Sequence, residues 1–170
     1  NYIVFLTADH GSAHAKGFMD AHKLNTGYWD AGLVKGLNAM LLSKTGTDNL
    51  VRADGAIGAC YQVNYDMKIM VDKKLDFSLI KRLSVDFLRK QPGVLYAADM
   101  DRIHDYPIPD WIRTCMINGY NYKRSGPVQI VPETGWMPEY AKTGTTHGGW
   151  NPYDAHIPLI FMGKGINRGK

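Results

Sequence analysis

The sequence predicts an α/β fold, a strand-and-helix core with a small α+β subdomain inserted into it, on the strength of three observations. Tyr2-Ile3-Val4-Phe5-Leu6 is an apolar run without alternation, the pattern of a strand covered on both faces in a parallel sheet. A second apolar strand, running to Met162, returns near the other end and enters Gly163-Lys164-Gly165. Between these two, runs with helical spacing of apolar residues alternate with short strand-like runs.

Each element follows from its local chemistry. The first strand runs into Thr7-Ala8-Asp9-His10-Gly11, and in open α/β sheets ligands collect at the carboxyl ends of strands. Ser12 to Thr26 is rich in small residues and His. A helix is predicted from about Asp30 to Lys44, because Leu33, Leu37, Met40 and Leu41 recur at helical spacing and Gly46 supplies a stop. Short strands are expected at Leu50–Ala53 and Ala59–Val63. Asp76 to Lys90 reads as an amphipathic helix with Phe77, Ile80, Leu83, Phe87 and Leu88 on one face, ended by Gln91-Pro92-Gly93. Val94–Ala98 reads as a strand, Pro109–Asn118 as a helix with Trp111, Ile112 and Cys115 inward, and Val128–Val131 as a further strand. Residues 1–54 and 128–170 are thus read as core segments and 55–127 as the inserted subdomain. There is no internal repeat.

Composition fits a folded domain. The 170 residues are 45% hydrophobic and 21% charged, ordinary for one globular core. No apolar run approaches the roughly 18 residues that a membrane span needs. The net charge is +4, with a pI near 9.0. The densest basic group, Lys68, Lys73, Lys74, Lys81, Arg82, Arg89 and Lys90, is interleaved with Asp66, Asp72, Asp76 and Asp86, which reads as a solvated helix face rather than a nucleic-acid stripe. Cys60 and Cys115 have no C-x-x-C spacing; buried free thiols are expected, and pairing stays open.

The chemistry concentrates in two places. Asp9-His10 sets a carboxylate beside an imidazole, a donor pair that suits zinc, although Asp-His is by itself a common dipeptide in which Asp caps a turn. The other is Gly144-Thr145-Thr146-His147-Gly148-Gly149-Trp150-Asn151-Pro152-Tyr153-Asp154-Ala155-His156-Ile157-Pro158, a Gly-rich loop whose backbone can approach a ligand closely. His14 and His22 flank the first motif, as outer-shell partners or as solvent-facing loop residues. His104, between Arg102 and Asp105, reads as a surface residue in a turn. Gly163-Lys164-Gly165 reads as a strand-ending turn.

Together these two stretches resemble the metal-binding motifs of the alkaline phosphatase superfamily, in the bacterial branch close to nucleotide pyrophosphatase/phosphodiesterases. Tyr28-Trp29 after Gly27, and Val128–Pro132 followed by Gly135-Trp136, look like the same branch. The resemblance implies part of an α/β/α core and a centre of two zinc ions. Asp9 and His10 would serve one ion and His147 the other, with His156 in a supporting or packing role. Apart from the resemblance, Asp154 is a candidate to orient His147 or His156 through a carboxylate–imidazole hydrogen bond, and His14 is a further outer candidate. The family also needs a Thr or Ser nucleophile, an early Asp and an Asp-x-x-x-His segment, all upstream of the Asp-His-Gly motif. The chain is therefore read as a C-terminal portion, expected to hold zinc weakly and to be inactive alone, because a zinc site wants three or four protein ligands.

The resemblance further implies a small phosphate ester as substrate and a periplasmic or extracellular location. Phosphate monoesters are the favoured substrate class. A phosphodiesterase or nucleotide pyrophosphatase with the same metals is the second reading, and a non-catalytic module retaining the fold is the third. Sheet strands left without neighbours would favour self-association of the chain.

Overall fold

Around the short strand Val128–Pro132, buried at every position, the chain builds a three-stranded antiparallel sheet. The computed structural model describes residues 2–29, 32–52, 61–138, 144–167 and 169. In chain order its elements are β1 (Ile3–Thr7), α1 (Lys16–Ala21), β2 (Gly27–Trp29), α2 (Leu33–Thr45), β3 (Gln62–Val63), α3 (Met67–Asp72), α4 (Phe77–Leu88), β4 (Val94–Asp99), a 3₁₀ turn (Met100–Asp105), α5 (Asp110–Gly119), β5 (Val128–Pro132), β6 (Trp136–Pro138), α6 (Pro152–Ala155) and β7 (Leu159–Gly163).

The main sheet has the order β3-β5-β4, with Val63 opposite Val128 and Ala97 opposite Ile130. Strand periodicity sends alternate residues to opposite faces. Val128, Ile130 and Ala97 join Leu37 and Leu41 of α2 and Ile80 and Leu88 of α4 on one side. Val131 and Ala98 join Ile112 and Met116 of α5 and Met100 and Ile103 on the other. Both α2 and β5, which the sequence assigned to the flanking segments, pack into this layer.

Local chemistry sets the helix ends. Asp76 accepts from the Leu79 N–H and Asp66 from the Ile69 N–H, each satisfying an amide that the first helical turn leaves unpaired. Gly46 closes α2 in a left-handed conformation (φ 69°), as the sequence predicted. Two smaller pairs complete the fold: β2 runs parallel to β6, and β1 runs antiparallel to β7 with Ile3 opposite Gly163 and Thr7 opposite Leu159.

Several expectations are corrected. β1 pairs antiparallel rather than parallel, and it is exposed at every position, as is β7. An unalternated apolar run signals that a strand wants cover, and among the described residues no layer provides it. The strand expected at Leu50–Ala53 reduces to a single bridge from Val51 to Tyr65, with Ala53 outside the described residues. The strand expected at Ala59–Val63 shortens to Gln62–Val63; Tyr61 adopts φ 53°, which an extended strand cannot accommodate, and Ala59 and Cys60 lie outside the described residues. On α5, Ile112 and Met116 face inward one turn apart, whereas Trp111 and Cys115 are exposed. Helices α1, α3 and α6 are additions. Among the described residues no helix is long and apolar enough to cross a membrane.

Lys81 departs most from its sequence reading. It is 3% exposed, and its ammonium donates to Asp99 Oδ1 at 2.8 Å and to Asp101. Burial alone would lower the Lys81 pKa, but the hydrogen bonds and charges of Asp101 and Asp99 outweigh it and leave the ammonium above the ordinary lysine range. Burial pushes the Tyr65 phenol upward as well.

Lys81→Met should destabilise the fold by about 3 kcal/mol, because Asp99 is left charged and buried without its cation; a loss under about 1 kcal/mol in urea unfolding would contradict the role given to the pair. Lys81 and Tyr65 both titrate higher in the folded state than in the unfolded chain. Their stabilisation is therefore full below the unfolded values and declines as pH rises through the folded ones. Unfolding titrations should show stability falling above the ordinary Tyr and Lys range, with a smaller fall in Lys81→Met. Leu37→Ala, at a fully buried position on α2, should cost about 3 kcal/mol in the same assay.

Candidate metal centre

The register of β1 on β7 places the end of one strand beside the start of the other. Asp9 and His10 leave β1 just after Thr7, and the loop carrying His147 leads through α6 to Leu159, the partner of Thr7. Backbone bonds lock the two loops together. The Gly11 N–H donates to the Asp154 carbonyl at 2.8 Å and the Ala13 N–H to that of Thr146 at 3.1 Å, while the Thr145 hydroxyl donates to the Ala13 carbonyl. Only glycine fits at position 11, since a Cβ there would stand 1.8 Å from the Tyr153 carbonyl oxygen. The result is that the rings of His10 and His147 stack, with centroids 3.5 Å apart and planes 14° apart.

The donor atoms of the first pair can be assigned. His10 Nδ1 lies 2.6 Å from the Gly11 carbonyl oxygen. A carbonyl only accepts, so Nδ1 carries the proton and Nε2 presents its lone pair. Asp9 Oδ1 accepts the His10 N–H at 3.0 Å, which leaves Oδ2 facing His10 Nε2 at 3.6 Å. Two donors on one tetrahedral zinc, at bonds of about 2.1 Å, stand roughly 3.4 Å apart. The separation and the O/N chemistry of this pair both suit that cation. Among the described residues, no group of three or more His, Cys, Asp or Glu side chains could hold a metal ion, so the pair fits a zinc site in kind but falls short in number.

Asp154 shares a pocket with His147. It is 7% exposed, its Oδ2 accepts the Gly149 N–H at 2.7 Å, and its Oδ1 is buried without a hydrogen-bond partner. Burial pushes its carboxyl above the ordinary carboxylate range, against the opposing pull of the Gly149 N–H and of His147 and His10. His147, Asn151, Tyr153 and Asp154 line one narrow pocket. Two of these residues carry no chemical signature in the sequence and were not foreseen. Asn151 accepts the Thr134 hydroxyl at 2.8 Å, and the Tyr153 hydroxyl accepts the Gly135 N–H at 3.1 Å, so both tie the β5–β6 turn to the His147 loop.

The remaining candidates stand apart from the stack. His156 follows α6 and is exposed, its backbone N–H donating to the Pro152 carbonyl. His14 is exposed and packs its ring on Phe18 at 4.8 Å, and Phe18 in turn stacks on His22 at 4.0 Å. His104 is exposed in the 3₁₀ turn. Lys164 and Gly165 form a turn at the end of β7, as expected.

No protein-family model matches the chain. It is 46% identical over 170 residues to the alkaline phosphatase PafA of Elizabethkingia meningoseptica, covering 100% of this chain and 30% of that protein. It is 39% identical over 172 residues to a protein named calcium-transporting ATPase from Myroides odoratus, covering 100% of this chain and 31% of that one. With the alkaline phosphatase PhoV of Synechococcus elongatus it shares 38% identity over 175 residues, covering 100% of this chain and 30% of PhoV. The crystal structure of wild-type PafA superposes on 99% of this chain and 31% of its own, with a TM-score of 0.88 and 47% identity. The chain thus spans about 30% of the length of these relatives. With this identity along its full length and the matching arrangement of its helices and strands, the chain belongs to the alkaline phosphatase superfamily, and its fold is part of that family's α/β core.

Proposed function

We propose that this chain contributes Asp9, His10 and His147 to a two-zinc centre that hydrolyses phosphate monoesters, with the nucleophile and the other ligands supplied by the remainder of a full-length protein. The observation that supports this reading is the stack of His10 on His147, which brings imidazoles from two distant segments together, with Asp9 Oδ2 3.6 Å from His10 Nε2. Zinc bound there would supply Lewis-acid polarisation of the phosphoryl group and a lowered pKa for a coordinated oxygen. The chain's own residues hold the donors. Asp9 keeps Oδ2 available because Oδ1 is engaged by the backbone, and His10 keeps Nε2 available because Gly11 fixes its tautomer. The pair and His147 offer three donors in all, below what two zinc ions need, so the isolated chain should bind zinc weakly and leave phosphate esters intact. A location in the periplasm or outside the cell belongs to the same proposal.

The exposed ribbon supports a second property, self-association of the isolated chain. Ile3, Phe5, Leu159 and Phe161 are each more than half exposed on β1 and β7, which among the described residues form a sheet of two strands with an edge on either side.

His147→Ala in the full-length protein should lower both zinc content and the hydrolysis of an aryl phosphate by about two orders of magnitude. Unchanged zinc stoichiometry by elemental analysis would sink the assignment. A ligand imidazole must be neutral to bind, so acid should release zinc from that protein and neutralisation should restore it; retention through an acid titration would count against histidine ligation. For the isolated chain, sedimentation should show concentration-dependent association that Phe5→Lys with Phe161→Lys abolishes, whereas a monomer at all concentrations would refute the ribbon's role.

A further inference from the structure

Asp154 is bonded to both loops of the candidate centre. Its main-chain oxygen holds the Gly11 N–H, next to His10. Its Oδ2 holds the Gly149 N–H, two residues beyond His147. Its Oδ1 is enclosed without a hydrogen-bond partner, and the residue lines the same narrow pocket as His147. A buried carboxylate oxygen without a hydrogen bond is costly, and native structures retain such groups where another function needs them. The surrounding glycines are shaped around this residue. A Cβ on Gly149 would lie 2.9 Å from Asp154 Oδ2, and one on Gly11 would meet the backbone at Tyr153 and Asp154.

We propose that Asp154 is the positioning residue of the centre: it fastens the His147 loop to the Asp9–His10 loop and presents its open oxygen to an imidazole N–H of the stacked pair. This rests on the metal-centre reading for its purpose, but not for its geometry. A carboxylate that accepts a ring N–H fixes the tautomer, and so decides which nitrogen offers a lone pair. In His10 that task already falls to the Gly11 carbonyl at Nδ1. His147 has no such backbone partner among the described contacts, and Asp154 Oδ1, which makes no hydrogen bond in the structure and belongs to a residue lining the same pocket, is the acceptor we assign to its ring. The segment is consistent with this division. Asn151 and Tyr153 hold the loop from the β5–β6 side, leaving Asp154 to act inward.

Two variants separate holding the loop from orienting the ring. Asp154→Asn keeps an oxygen acceptor for the Gly149 N–H but loses the charge, and Asp154→Ala loses both. In the whole 170-residue chain, followed by ¹⁵N NMR, the ring-nitrogen shifts of His147 should change in Asp154→Asn while the Gly149 amide stays protected. In Asp154→Ala the Gly149 amide should in addition exchange about tenfold faster, the size expected for one lost hydrogen bond. Amides of the β3-β5-β4 sheet, remote from these loops, report whether the variants remain folded. The unmodified chain gives an arm that needs no variant: the Gly149 amide should exchange about tenfold more slowly than that of Gly148. Equal rates there, or His147 ring shifts unmoved in a folded Asp154→Asn, would overturn the proposal.

The metal reading is tested apart from this by titrating Zn²⁺ into the full-length protein and its His147→Ala variant. Asp154-dependent ring shifts in a protein that takes up no Zn²⁺ would uphold the positioning role and remove the phosphatase reading. Zn²⁺ uptake with ring shifts indifferent to Asp154 would do the reverse.

Discussion

The antiparallel register of β1 on β7 is the constraint on which the candidate centre depends. Because Thr7 lies opposite Leu159, the residues that leave β1 and those that enter β7 share one end of the ribbon. Asp9 and His10 then meet the His147 loop without a long connection of their own. A slip of one residue would reverse the facing of every side chain along the strand. The backbone bonds from Gly11 and Ala13 to the opposite loop hold the register at the end where the chemistry sits. Both strands of the ribbon are nevertheless exposed at every position, so the centre rests on pairing rather than on a surrounding core.

The packed part of the chain answers to different forces. Its sheet is covered on both faces, with aliphatic side chains of α2 and α4 on one side and of α5 and the 3₁₀ turn on the other. Lys81 and Asp99 form a charged pair within this layer, at the price of desolvation that only close hydrogen bonding offsets. The pair joins α4 to the end of β4 at one defined distance, a task that apolar packing alone performs less specifically. Thus the chain combines an orderly α/β layer with a loop-built centre carried by a ribbon. Asn151 and Tyr153 connect the two by tying the His147 loop to the β5–β6 turn.

Much of this was legible from local pattern, and the misses have common causes. Helix α4 was readable from the spacing of Ile80, Leu83, Phe87 and Leu88 and from the Gln91-Pro92-Gly93 stop, because a one-sided apolar stripe and a breaker are properties of consecutive residues. Asp9, His10 and His147 were recognisable from their motif contexts, and the fold brings His10 and His147 into contact. Lys81 was misread as solvated because a charged residue between charged neighbours looks exposed until Asp99 and Asp101 are brought to it by the next strand. Trp111 and Cys115 were misplaced because apolar character on a short helix does not reveal which face is covered. Asn151 and Tyr153 escaped notice because their partners, Thr134 and Gly135, lie in a turn that no local rule connects to them.

What the sequence by itself determined is the inventory: the helices with one apolar face, the strand β5, the candidate donor residues Asp9, His10 and His147, and the glycines around them. These are consequences of residue chemistry and spacing along a few turns or strands. Only the tertiary structure decided which inventory members meet. The β1–β7 register stacked His10 on His147, backbone bonds brought Asp154 to both loops, and strand β4 delivered Asp99 to Lys81. The reason is physical: hydrogen-bond partners and burial are set by atoms far apart in the chain, and only the folded register fixes how far apart they finish.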